Sequence, residues 1–284
     1  MRVKFAASAV ALALAACSAG SSEHAEAGHE SAEAPHGGEA HGDAHAAPHA
    51  GLGPASAHAA PSQGGDHWAY NDQAAWAQQS GVCGSGAEQS PINLSSAAPM
   101  AEMPDLAPRY LDAAGALQDN GHTLQFAPDQ ANAMLMVGQS AYSLAQFHFH
   151  SPAEHTLDRR AFPVELHFVH RNSAGQLAVL GVFIEEGPEN PEIGTLLHAI
   201  PGAQGEANAT HLQIDLNALL PTDRAYFAYA GSLTTPPCSE GVRWHVLRTP
   251  IQASAAQIAQ LREKLGSSSR HVQPLNQRTV MLGT

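Results

Sequence analysis

Three histidines in two short stretches have the types and spacing to hold a metal ion. Gln146-Phe147-His148-Phe149-His150 alternates polar and aromatic residues. Alternate residues of a β-strand share a face, so His148 and His150 project together while Phe147 and Phe149 point away. Glu165-Leu166-His167-Phe168-Val169-His170 repeats the pattern, with Glu165, His167 and Val169 on one face. If the two strands pair through the loop 151–162, His167 faces His148 and His150. Three neutral imidazoles would then converge on one ion and leave a coordination position open, which suits catalytic zinc better than structural zinc. Gln146 and Glu165 each lie two residues before a histidine, hence on its face, where an oxygen can accept the second ring N–H and fix the ring. A half-buried sheet with merely satisfied histidines is the ordinary alternative for a lone His-x-His strand. The two flanking acceptors weaken it.

Strands must carry these side chains, and the chain is rich in strand signals. Alternating or apolar runs occur at 123–126, 133–137, 146–150, 164–170, 177–184, 224–229 and 242–247, separated by Gly, Pro, Asn and Asp. Helices are few. Asn190 is placed to cap a helix with Pro191 in its first turn, ending near Ala199. Ser254 and Gln257 have capping-box spacing ahead of Ile258, Leu261 and Leu265, with Gly266 as a stop. The expected class is mainly β (α+β), one domain with a few surface helices. No internal repeat is visible.

The chain has 284 residues and divides by composition. Arg2 and Lys4 precede an apolar run to Ala16 that is too short to span a bilayer, the layout of a bacterial secretion signal. Leu14-Ala15-Ala16-Cys17 resembles a lipobox, which implies a signal over 1–17 and a lipid on Cys17; cleavage at a nearby small residue by the ordinary signal peptidase is the alternative. Residues 18–65 hold Ala, Gly, Ser, Pro, Glu and His with almost no large apolar side chain, so a disordered tether is expected. Its histidines, from His24 to His58, could bind metal weakly or could simply belong to a soluble spacer. The folded domain is expected over 66–284. A formal net charge of -13 with no cluster of Lys and Arg counts against nucleic acid, and none is expected as a partner. With Cys17 given to lipid, Cys83 and Cys238 remain as a pair in an exported protein, where a disulfide persists and two free buried thiols are the less expected state. Localisation follows: export from a bacterial cytoplasm to the periplasmic face of a membrane, with Ser18 after Cys17 pointing to the outer membrane.

Several stretches taken together resemble the α-class carbonic anhydrases in their compact exported bacterial form: His67-Trp68-Ala69-Tyr70, Gln89-Ser90-Pro91-Ile92-Asn93, Asn120-Gly121-His122-Thr123, Ala153-Glu154-His155-Thr156, the two histidine strands, 177–181, and Tyr229 to Cys238 with Leu233-Thr234-Thr235-Pro236-Pro237 at its centre. The resemblance implies a central, mostly antiparallel twisted sheet of about ten strands with zinc in a conical cleft. It implies His148, His150 and His167 as zinc ligands, in agreement with strand parity, and reversible hydration of carbon dioxide to bicarbonate by attack of zinc-bound hydroxide. Thr234 would donate to Glu154 and orient the nucleophile. Val169, Val179, Leu233 and Trp244 would form the apolar wall for the gas, with Thr235 at most lining it. His122 would carry the proton out, aided by Asn120 and Gln125. His155 and His170 match structural positions, and the counterpart of a main-chain acceptor for His150 falls loosely on Ser268. Oligomeric state is not legible.

Two rivals remain. His148-x-His150-x3-Glu154 fits the first metal motif of cupin barrels, though the second motif is not found. A non-catalytic zinc-binding lipoprotein, with the His-rich tether as its working end, is the other.

Overall fold

The computed structural model describes residues 68–207 and 211–284. The signal-like segment, Cys17, the His-rich stretch and His67 lie outside the described residues. Fourteen strands run in chain order: β1 (Asn93–Leu94), β2 (Leu106–Arg109), β3 (Ala113–Asp119), β4 (Leu124–Pro128), β5 (Met134–Val137), β6 (Ser140–His150), β7 (Thr156–Leu157), β8 (Val164–Arg171), β9 (Leu177–Glu186), β10 (Leu212–Ile214), β11 (Tyr226–Ser232), β12 (Glu240–Leu247), β13 (Ile251–Ala253) and β14 (Met281–Gly283). Four α-helices accompany them: α1 (Trp76–Gln79), α2 (Gly81–Ser85), α3 (Pro191–His198) and α4 (Ala255–Leu265).

Twelve strands form one open sheet along the path β10-β3-β4-β6-β8-β9-β12-β11-β14, with β5 on β6, β2 on β5 and β13 on β9. The pairings of β9 with β12 and β13 are parallel; the rest of that sheet is antiparallel. The mainly β class holds, and the expected count of about ten becomes twelve. Three of the strands that periodicity passes over, β10, β13 and β14, are only three residues long. β3 alternates buried and half-buried residues, but its Ala-Ala-Gly-Ala start carries none of the branched or aromatic side chains that mark strands.

Each face of the sheet buries its own core. The larger contains Phe126, Phe147, Phe149, Leu166, Phe168, Leu180 and the apolar residues of α3 and α4. The smaller contains Val169, Val179, Phe183, Phe227, Tyr229, Trp244 and Val246, and shares its face with the three histidines. β6 changes allegiance along its length. Tyr142 and Leu144 face the larger core, yet after a register shift between Leu144 and Gln146 the even-numbered Gln146 pairs Val169 on the other face. A one-residue bulge flips every side chain beyond it. That bulge, at Ala145, turns Gln146, His148 and His150 toward the smaller core.

The helix caps form as spacing predicts. Asn190 accepts from the main-chain N–H groups of Glu192 and Ile193, and Ser254 and Gln257 make a full capping box. The Gln257 side chain also accepts from Asn190 N at 3.0 Å and donates to Asn190 O at 2.7 Å, so one amide ties the two helix starts together. Gly266 takes φ 60° at the end of α4, in the left-handed region that favours glycine.

Cys83 of α2 and Cys238 form a disulfide across 155 residues of chain. Closing such a loop stabilises the fold by up to about 5 kcal/mol in the chain-entropy picture. Replacing both cysteines by serine should lower unfolding free energy by about 2–5 kcal/mol in urea titrations. An unchanged midpoint would show that the bond constrains nothing the rest of the fold does not already hold.

Candidate metal centre

His148 lies directly opposite His167 in the β6–β8 register, with His150 two residues further along β6. The three are buried, and one ring nitrogen of each lies within 4.8 Å of the others. Ring centroids stand 4.6 to 5.3 Å apart. The second nitrogen of each ring is held by an acceptor. His148 Nδ1 donates to Gln146 Oε1 at 2.8 Å, His150 Nδ1 to Ser268 O at 2.6 Å, and His167 Nε2 to Glu165 Oε1 at 2.9 Å. Those bonds fix the tautomers and leave Nε2, Nε2 and Nδ1 with lone pairs toward a common centre. Burial holds the His167 imidazole below its usual pKa, against Glu165, which raises it. Neutral imidazole is the ligating form. Three neutral nitrogens and no thiolate make a donor set that fits zinc with an open position.

Glu165 explains why this arrangement is rigid. It is fully buried, and its carboxylate accepts four hydrogen bonds: Oε2 from Glu154 N (2.9 Å) and His155 N (2.8 Å), Oε1 from His155 Nδ1 (2.7 Å) and His167 Nε2 (2.9 Å). Four donors fill a carboxylate's acceptor capacity. Burial raises its pKa, but His155 and His167 together outweigh that and hold it well below the usual carboxylate range. His155, Glu165 and His167 also approach one another as a metal cluster would; with the Glu165 oxygens already filled, they are better read as support for His167. Gly181 pairs with His167 from β9. A Cβ there would stand 3.1 Å from Glu165 Oε1 and 3.3 Å from Val246 Cγ2, so glycine leaves the carboxylate its room.

Support continues away from the centre. Tyr229 OH donates to His155 Nε2 at 2.6 Å, Ser90 Oγ lies 2.8 Å from Tyr229 OH, and Ser232 N donates to Ser90 Oγ at 3.1 Å. With Glu165 ionised, every hydrogen in this chain has one consistent direction. It ends two residues before Thr234.

Glu154 approaches the centre from the other side, with Oε2 at 3.5 Å from His150 Nε2 and 3.9 Å from His167 Nδ1. Its Oε1 accepts from Arg270 N at 2.8 Å, and the nearby Thr234 hydroxyl favours its ionised form. Burial pushes Glu154 up to about 7, partly offset by His167, by the bond from Arg270 N and by the Thr234 hydroxyl. A cation among the imidazoles would favour the ionised form. Thr235 is half-buried in the following turn, where its carbonyl accepts from Cys238 N at 2.8 Å.

Cross-strand pairing lines up Gln146, Val169, Val179, Trp244 and Tyr229 in one row. It runs beside a second row of Gln125, His148, His167, Gly181 and Val246. Val169, Val179 and Trp244 are buried in the smaller core and Leu233 packs on it. An apolar wall therefore adjoins the nitrogen donors. His122 is half-buried. Its turn is set by Asn120 Oδ1, which accepts from His122 N (3.0 Å) and Thr123 N (2.9 Å), and its ring stacks on Trp68 at 3.9 Å. Trp68 meets Tyr70 edge to face, and Tyr70 meets His150 at 6.4 Å. Gln125 Oε1 is buried and has no partner among the described residues, which suits an acceptor for water.

The sequence reading missed Arg270, Tyr229, Ser90 and Trp68 as parts of this site. Arg270 sits in an irregular stretch with no periodicity to flag it. The others lie within matched stretches, but nothing in their types announces a contact with a residue distant in sequence.

An open sheet carrying three converging imidazoles beside an apolar wall has the layout of an enzyme with a candidate single-ion, three-histidine metal centre. A sequence model described as eukaryotic-type carbonic anhydrase matches residues 71–283. A carbonic anhydrase of Pectobacterium carotovorum is 38% identical over 222 residues, covering 76% of this chain and 90% of that protein. The solved α-carbonic anhydrase of Thermovibrio ammonificans, in complex with the inhibitor sulfanilamide, superposes with TM-score 0.73 at 40% identity, over 77% of this chain and 100% of that one. The Photobacterium profundum α-carbonic anhydrase gives TM-score 0.71 at 38% identity, over 76% and 100%. The chain belongs to the α-class carbonic anhydrases, enzymes of carbon dioxide hydration. The cupin reading gains no support: the sheet is open and the matched family is another. No comparison favours the tether as the working end.

Gln146→Ala and Glu165→Gln should each weaken zinc affinity by about 10–100-fold, the usual cost of losing a ligand's outer hydrogen bond. Competition with a chelating dye reads this directly. Unaltered affinity in both variants would dissociate these residues from the metal.

Proposed function

We propose that this chain, through a domain spanning 66–284, hydrates carbon dioxide reversibly to bicarbonate and a proton with zinc held by His148, His150 and His167. The observation that carries the reading is the set of three buried imidazoles, each fixed by a separate acceptor so that its remaining nitrogen faces one centre. Zinc at that centre supplies a Lewis acid that makes water nucleophilic at neutral pH, a pKa of about 7 being known for carbonic anhydrases as a class.

The protein's own groups then have separate tasks. Val169, Val179, Leu233 and Trp244 offer an apolar surface to a gas without charge or dipole, where water competes poorly. Thr235 borders it. Thr234, whose hydroxyl favours the ionised Glu154, is assigned to give that carboxylate its only hydrogen, so that toward the centre its oxygen can only accept. That restricts the nucleophile to one orientation and lowers the barrier by alignment. His122, stacked on Trp68 at the half-buried edge, receives the proton and passes it to solvent. Histidine can do both near neutrality. Asn120 and Gln125 support the water path between.

Stopped-flow hydration by the zinc-loaded chain tests this: turnover that sulfanilamide abolishes is expected, and a zinc-loaded chain without turnover contradicts it. His122→Ala should lower kcat more than kcat/KM, with recovery in added imidazole. Equal loss in both would move the proton path elsewhere.

The chain is further proposed to be exported and held by a lipid on Cys17 at the periplasmic face of the outer membrane. The charged-apolar-Cys17 layout supports this, and so does the Cys83–Cys238 bond, since structural disulfides persist in oxidising compartments. Metabolic lipid labelling should be lost in Cys17→Ala; label retained by that variant would contradict the anchor.

A further inference from the structure

Arg270 is a buried cation whose guanidinium hydrogen-bonds to uncharged acceptors, with the Glu154 carboxylate as its charged neighbour. Arg270 is 5% exposed. Its Nη1 donates to Gln89 Oε1 and Ser90 O, both at 2.8 Å, and its Nη2 to Cys83 O at 2.9 Å. A guanidinium withdrawn from water onto neutral acceptors is costly, and burial holds its pKa below the usual value. These bonds form two ties between Glu154 and the Thr234 segment. Arg270 N holds Glu154 Oε1 at 2.8 Å. Gln89, having given its oxygen to Arg270, turns its amide nitrogen to Cys238 O at 3.1 Å and Glu240 Oε1 at 2.9 Å. Cys238 closes the turn that begins just after Thr234, through its N–H to Thr235 O, and is bonded to Cys83, whose carbonyl takes the other end of the guanidinium.

We propose that Arg270, with Gln89 as its relay, is a positioning residue for carbon dioxide hydration: it sets the separation of the Glu154 carboxylate from the Thr234 hydroxyl. The guanidinium fan spans the α2 segment, the 89–90 stretch and, through Gln89, the 234–238 turn, while the same residue's main chain carries Glu154. Displacing any spoke moves donor relative to acceptor, and orientation at the centre is lost without loss of a metal ligand. This rests on the hydratase reading above and extends it to a residue that touches neither zinc nor gas.

The test is a double-mutant cycle in the zinc-loaded full chain, read as kcat/KM for hydration with zinc stoichiometry measured alongside. Arg270→Gln should lower kcat/KM by about tenfold to a hundredfold at unchanged zinc content. Arg270→Lys, which keeps the charge but not the planar fork, should recover only part. Gln89→Ala should lose activity in the same sense. In a Thr234→Ala background neither Arg270→Gln nor Gln89→Ala should remove more than about a further twofold, because the bond they position is already gone. Losses that multiply in that background would overturn the positioning role, as would full kcat/KM in Gln89→Ala with intact zinc. Should Arg270→Gln fail to fold, the Gln89→Ala and Thr234→Ala cycle decides alone. An unmutated chain that holds zinc but hydrates nothing would overturn the hydratase reading and this proposal with it; an active chain with multiplying losses overturns only the proposal.

Discussion

Everything at the centre depends on the register of one strand pair. His148 is opposite His167 because β6 is displaced by one residue at Ala145, after Tyr142 and Leu144 have faced the opposite core. Before the bulge β6 is an ordinary amphipathic strand; beyond it, the same parity delivers Gln146, His148 and His150 to the other face. Since a single-residue slip inverts a strand completely, the metal face would otherwise present Phe147 and Phe149. The aromatic stacking of Phe126 on Phe147, at 4.9 Å, resists such a slip from beneath.

Two buried carboxylates then do different work because their surroundings differ. Glu165 has four donors and two imidazole neighbours, and stays ionised as a fixed acceptor. Glu154 has fewer hydrogen bonds, so burial dominates and its carboxyl rises to about 7. The first is a frame for the ligands. The second responds to the charge placed beside it, and in the proposed function its ionised form takes the Thr234 hydroxyl proton. A third group, the His150 acceptor, is a main-chain carbonyl at Ser268, so the identity of that side chain is not constrained by this bond.

The sequence showed some of this directly and some of it only by resemblance. Strand parity placed His148, His150 and His167 together, and two-residue spacing placed Gln146 and Glu165 behind them; both arguments need only the period of a strand. The caps at Asn190 and Ser254 were legible for the same local reason. Thr234, by contrast, looks like any turn residue before two prolines. Its approach to Glu154 spans distant parts of the chain, and no local pattern encodes such a pairing. Arg270 was invisible for that reason also, whereas the bulge shows in the sequence as a change of parity, the apolar positions passing from Tyr142 and Leu144 to Phe147 and Phe149 across Ala145. The Ala- and Gly-rich β3 shows how tertiary pairing makes a strand from residues with little preference for one.

The claim on which the rest stands is that three imidazoles and no other side chain hold the ion. X-ray absorption at the zinc edge of the metal-loaded chain measures it. The structure predicts three nitrogen neighbours at about 2.0–2.1 Å and one further light atom, with no sulfur and no carboxylate from Glu154. A fourth protein ligand, or a zinc signal that persists unchanged in His148→Ala, would contradict it.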